Sequence, residues 1–149
     1  MTLNVNGHNN LLANWREISG YDKSIDAIVT NVKEGKYHDM NIYIPNPVIN
    51  DVYTISFDVW GSTTDNRLTT HMYDVEVDNI VAVSEGGVRI DNNGEVEWYN
   101  LSGNSKRHFV TYRLPNSVRC YVIIRNRPGT TYIRNIKLEK SPYPTDYEE

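Results

Sequence analysis

From Val52 to Trp60 the chain reads VYTISFDVW, and this alternation is the feature that most limits its fold. Side chains on an extended strand take opposite faces at a period of two, so Tyr53, Ile55, Phe57 and Val59 form one face. Thr54, Ser56, Asp58 and Trp60 form the other. A helix would scatter both rows around its surface. In a half-buried antiparallel sheet the second row should meet water, which makes Trp60 either a solvent-facing platform or a cap folded onto a loop.

The same period recurs along the chain. Residues 119–139, RCYVIIRNRPGTTYIRNIKLE, read as two strands joined at Pro128, Gly129 and Thr130, which supply turn chemistry. Val122 and Ile124 take one side of the first strand, and Tyr121, Ile123 and Arg125 the other. Tyr132, Ile133, Ile136 and Leu138 then resume an apolar rhythm, with Arg134, Asn135 and Lys137 interleaved. A hairpin is predicted. Further strands are expected over 24–31, 40–44, 68–77, 81–83, 88–90, 95–99 and 108–114. Pro45 and Pro115 stop two of them, and Asn93-Gly94 carries a hairpin signature. Leu11, Leu12 and Trp15 form a small apolar cluster expected under one end of the fold, with Trp15 in the core. No segment sustains a 3.6-residue period. Short strands separated by Gly, Asn and Pro turns predict an all-β protein, an antiparallel β-sandwich.

At 149 residues the chain has the length of one domain with a sizeable core. The expected division is an arm over 1–9, a sandwich over 10–140 and an extended tail over 141–149. The formal charge is -4 and Lys and Arg are scattered, so no nucleic-acid footprint is present. Cys120 is the sole cysteine, which excludes an intrachain disulfide. No apolar run approaches the roughly eighteen residues of a membrane span. The opening MTLNVNGHNN lacks the basic flank and apolar core of a signal peptide. Synthesis in a reducing cytoplasm, with release by lysis or assembly, is the expectation.

Two segments carry a family resemblance. YIRNIKLEK at 132–140, followed by SPYPTDYEE, resembles the end of many phage tail, baseplate and fibre proteins. NLLANW at 10–15 is similar to the opening of the same domains, and the strand order between them resembles carbohydrate-binding modules of the family 4/9 type. The resemblance implies a jelly roll, a place in the virion, other virion proteins as partners, a homo-oligomer, and host cell-surface polysaccharide as ligand. Many such modules hold a structural calcium through an acidic residue in the last strand. Here the matching positions are Arg134 and Asn135, so no metal and no cofactor is expected.

Catalytic signals are weak. Asp74, Glu76 and Asp78 alternate along an expected strand, roughly 7 Å apart, a separation not far from that of glycoside hydrolases. Three acids on an open strand face read more simply as solvated, with a weak Ca²⁺ site as the alternative. His8, His38, His71 and His108 lack metal-ligand spacing, and Ser84 lies outside any nucleophile-elbow motif. No catalytic residue and no enzyme is expected. Sugars present flat C–H faces to aromatic rings and hydroxyls to polar side chains. Asp58, Trp60, Trp98, Tyr99, Tyr121 and Arg125 are therefore the candidate carbohydrate contacts, with one of Trp98 and Tyr99 facing outward. The second reading is a structural decoration or cement protein, in which Pro142, Tyr143, Pro144 and Tyr147 lie on a neighbour.

Overall fold

The computed structural model describes residues 10–63, 67–72, 75, 77–90, 94–99, 101–115 and 121–148. Their strands are β1 (Tyr21–Asp22), β2 (Ala27–Val32), β3 (His38–Tyr43), β4 (Val52–Thr63), β5 (Arg67–Met72) and β6 (Ile80–Val83). They continue as β7 (Val88–Arg89), β8 (Val96–Tyr99), β9 (Lys106–Arg113), β10 (Tyr121–Asn126) and β11 (Gly129–Glu139). Two sheets result, one in the order β1-β2-β11-β4-β9-β6 and the other in the order β3-β10-β5-β8-β7. The pairings are antiparallel, and the fold is the expected β-sandwich of jelly-roll type.

The inward rows meet as the alternation requires. Tyr53, Ile55, Phe57 and Val59 of β4, with Ile133, Ile136 and Leu138 of β11, face Met40, Ile42, Leu68, Met72, Val96, Trp98, Val122 and Ile124 of the other sheet. Trp15 closes one end as expected: its indole is fully buried, sits edge-on to Tyr21, and donates from Nε1 to the Tyr147 hydroxyl at 2.9 Å. β7 and β8 pair antiparallel and the Ile90 amide bonds the Glu95 carbonyl, while Asn93 of the expected turn lies outside the described residues.

The predicted hairpin over 119–139 does not form. β10 pairs with β3 and β5, whereas β11 pairs with β2 and β4 in the opposite sheet. Only Arg127 and Pro128 separate the two strands, so this short link is a corner between layers. Pro128 has no N–H to give to a hairpin ladder, and Gly129, at φ 114°, takes a conformation open to glycine alone. Of the strand expected over 68–77, β5 covers the part up to Met72, Tyr73, Asp74 and Glu76 lie outside the described residues, and Val77–Asn79 forms a 3-10 turn.

β11 also breaks its own period. Arg134 pairs with Asp58 and Lys137 with Ser56, so Asn135 and Ile136 together oppose Phe57 in a β-bulge. Asn135 sits at φ 55°, in the left-handed region that Asn tolerates. The extra residue reverses the parity. Ile136 and Leu138 thereby point inward with Ile133, and Lys137 and Glu139 point outward.

The outward row of β4 is not simply wet. Thr54 and Ser56 are buried, because the chain after β11 folds back over this end of the sheet. Thr54 Oγ1 donates to the Ser141 carbonyl at 2.8 Å, and Lys137 Nζ donates to Thr145 Oγ1 and to the Asp146 carbonyl. Glu139 accepts from the amide and hydroxyl of Thr145. The tail thus lies on its own sheet: Pro144 and Tyr147 are half-buried there, while Pro142 and Tyr143 stay exposed.

Candidate functional site

The six candidate contacts fall into three places. Asp58 and Trp60 stand on the outer face of the six-stranded sheet, and Tyr99, Tyr121 and Arg125 on the outer face of the five-stranded sheet. Trp98 is in the core. Its neighbour Tyr99 is the exposed member of the pair, at 44%, so Trp98 cannot serve as a stacking platform.

On the six-stranded sheet the polar and aromatic groups satisfy one another. Trp60 stacks on Tyr132 with ring centroids 5.1 Å apart, and the Arg134 guanidinium lies 4.9 Å from the indole centroid. Asp58 accepts from Arg107 at 3.2 Å and from Asn135 Nδ2 at 2.8 Å. Arg107 also holds the Asn135 carbonyl and the Ser56 hydroxyl, which ties the bulge to β9. The π-face of Trp60 is already engaged within the chain.

The five-stranded sheet presents a different surface. The pairing registers place Asp39, Arg125, Thr69, Glu97 and Val88 side by side across all five strands, each on the outward parity. Arg125 grips Asp39 through two hydrogen bonds, Nε to Oδ1 at 2.8 Å and Nη2 to Oδ2 at 3.0 Å, and lies over the Tyr37 ring at 4.2 Å. Glu97 is the buried anchor of the row. It accepts from Arg67, Thr69, Arg127 and the Tyr99 hydroxyl, the last at 2.6 Å. Burial pushes its carboxyl up, but the Tyr99 hydrogen bond and the Arg67 charge outweigh it and hold it below the usual carboxylate range. Beyond the polar row Tyr43 and Tyr121 pair across β3 and β10 with ring centroids 4.9 Å apart. Tyr43, at 65% exposed, and Tyr37, at 58%, leave wide ring surface in water. The reading of the sequence missed Tyr43, although Met40 and Ile42 facing inward already required it to face outward.

Behind β8 a buried network secures Trp98. The Ser84 hydroxyl oxygen accepts from Trp98 Nε1 and from the Phe109 amide, both at 3.0 Å, and lies 3.1 Å from His108 Nδ1. With both lone pairs taken, the hydroxyl proton points at Nδ1, so His108 is neutral with its own proton on Nε2. Gly87 is required beside it, because a Cβ there would come within 2.8 Å of Trp98 Nε1. Burial, with the Lys106 charge, lowers the His108 pKa to about 4. The unfolded chain takes up this proton near 6.5 and the folded one refuses it until about 4. Unfolding free energy is therefore expected to fall by about 3 kcal/mol from this group between pH 6.5 and 4. Urea titrations across that range check it, and His108→Gln should flatten the slope.

Asp74 and Glu76 lie outside the described residues, and Asp78 is exposed on the 3-10 turn instead of on a strand. His38 is exposed and His71 half-buried on the five-stranded sheet, while His8 and Cys120 are outside the described residues. Among the described residues no three His, Cys, Asp or Glu side chains converge on a metal-sized site.

No family model and no curated protein matches the chain. Among solved structures it superposes on BiXyn10A CBM1 in its apo form with a TM-score of 0.53 and 13% identity, over 81% of this chain and 78% of that one. The likeness is one of fold. A structure from Bacteroides thetaiotaomicron, described as a candidate sugar-binding protein, aligns at a TM-score of 0.46 and 11% identity, over 83% of this chain and 73% of that one.

Proposed function

We propose that this protein is a non-enzymatic carbohydrate-binding module whose ligand lies across the outer face of the five-stranded sheet. The observation that carries the reading is the Asp39–Arg125–Thr69–Glu97 row with exposed tyrosines around it. A pyranose needs a flat apolar partner for its C–H face and planar donors and acceptors for adjacent hydroxyls. Tyr43, Tyr121 and Tyr99 supply rings, and Arg125 and Asp39 supply polar groups already fixed by each other. Side chains held on strands lose little freedom on binding. Glu97 is held ionised by its partners, so it does not supply the protonated carboxyl that a glycosidase needs beside its ionised one. The solved BiXyn10A CBM1 shares the fold.

The narrower role, docking a phage tail, baseplate or fibre on host-surface polysaccharide as part of a homo-oligomer, takes its support from the NLLANW and YIRNIKLEK segments. Several copies on one particle would multiply a weak single contact.

Calorimetry with bacterial surface polysaccharides and with xylan tests both levels. Tyr43→Ala combined with Tyr121→Ala is expected to weaken binding at least tenfold, about 1.4 kcal/mol, while Trp60→Ala leaves it unchanged. Loss in Trp60→Ala alone would move the site to the other sheet. Binding to xylan but to no bacterial envelope glycan would overturn the virion role and keep the module.

A further inference from the structure

A second site lies at the end of the sandwich, where β8 leaves one sheet and β9 enters the other. Here a cavity of about 550 Å³ opens between the strands, within the range of roughly 300–1,000 Å³ typical of small-molecule clefts. Its floor is Trp98 and His108, stacked with centroids 5.2 Å apart, and Ser84 locks both rings in place. Because Ser84 occupies Nδ1, the imidazole has Nε2–H left to donate to a ligand. Lys106 and Tyr99 border the cavity, both exposed, and Glu85 faces them from the turn between β6 and β7.

The charges are unevenly engaged. Arg107 also reaches the cavity, but its guanidinium is held by Asp58, Ser56 and the Asn135 carbonyl. Among the described residues no carboxylate pairs with Lys106, so its ammonium is available to an incoming anion. Gly86 leaves the mouth open, since a Cβ there would touch nothing within 4 Å.

We propose that this cavity binds a single carboxylate-bearing sugar, a uronic acid residue. Its carboxylate pairs with Lys106, its C–H face lies on Tyr99, and its hydroxyls accept from His108 Nε2 and donate to Glu85. A neutral sugar would forgo the Lys106 contact. The site shares Tyr99 with the sheet face proposed above, but Glu85, Lys106 and His108 belong to the cavity alone, so substitutions at Lys106 test it apart from that reading.

Amide spectra of the full chain, titrated with methyl glucuronide and with methyl glucoside, test the proposal. Glucuronide should shift the Gly86, Lys106 and His108 amides with a Kd at least tenfold below that of the glucoside. Lys106→Gln should abolish this preference and leave polysaccharide binding at Tyr121 and Arg125 within twofold. Equal response to the two sugars, shifts confined to Asp39 and Arg125, or a preference that survives Lys106→Gln would each overturn it.

Discussion

Replacing Trp98 by alanine is expected to lower the unfolding free energy by about 3–5 kcal/mol. The indole is fully buried, meets Phe57 edge-on with centroids 6.0 Å apart, and stacks on His108. Its removal empties a volume that the surroundings cannot refill, because Phe57 belongs to a strand paired on both sides and the Gly87 turn rests against the indole nitrogen. It also takes one donor from Ser84, whose hydroxyl orients His108. Trp98→Phe keeps most of the packing and loses mainly that hydrogen bond, so about 1–2 kcal/mol is expected. Urea unfolding followed by circular dichroism measures both. A Trp98→Ala variant that kept its stability but lost sugar binding would place the indole at the surface and refute the core assignment.

The second large effect belongs to Glu97→Ala, with an expected cost of about 3–4 kcal/mol. The carboxylate is 4% exposed and anchors Arg67, Arg127, Thr69 and Tyr99. Without it two guanidinium groups share a half-buried surface with no anion between them. Sugar binding at the sheet face should fall with it, since Tyr99 loses its tether. Glu97→Gln keeps shape and some hydrogen bonds and should cost less in stability. The sign with pH follows from the lowered carboxyl: its contribution is complete above the ordinary value of 4.5 and disappears as pH falls through the lower folded value. Acid unfolding of Glu97→Ala should therefore lack the component below 4.5 and retain the one from His108 that begins near 6.5. Identical acid profiles in the variant and the parent would show that Glu97 is not the group responsible.

The candidate site was legible where parity alone decided it. Tyr121 and Arg125 had to face away from Val122 and Ile124, and one of Trp98 and Tyr99 had to be outside. Which one was a question of where the core lay, and the answer came from Trp98 packing on Phe57 across the layers. The irregular spacing of Ile133, Ile136 and Leu138 was a visible trace of the bulge at Asn135, since no unbroken strand can point all three inward. Lys137 and Glu139 gave no such trace. A lysine between two core residues reads as a solvent-facing group, and only the returning tail buries it.

Period-two alternation by itself determined that the chain forms strands and which side chains share a face on each, and hence a two-layer antiparallel sandwich. That information is local, set by backbone geometry and by the removal of apolar rows from water. Strand partners were decided by the tertiary structure alone. The corner at Arg127 and Pro128 sends β10 and β11 to opposite sheets, and the same sequence pattern would have suited a hairpin. Partner choice depends on contacts between residues far apart in the chain, such as Arg125 with Asp39 and Arg107 with Asp58, and no alternation within one segment encodes them.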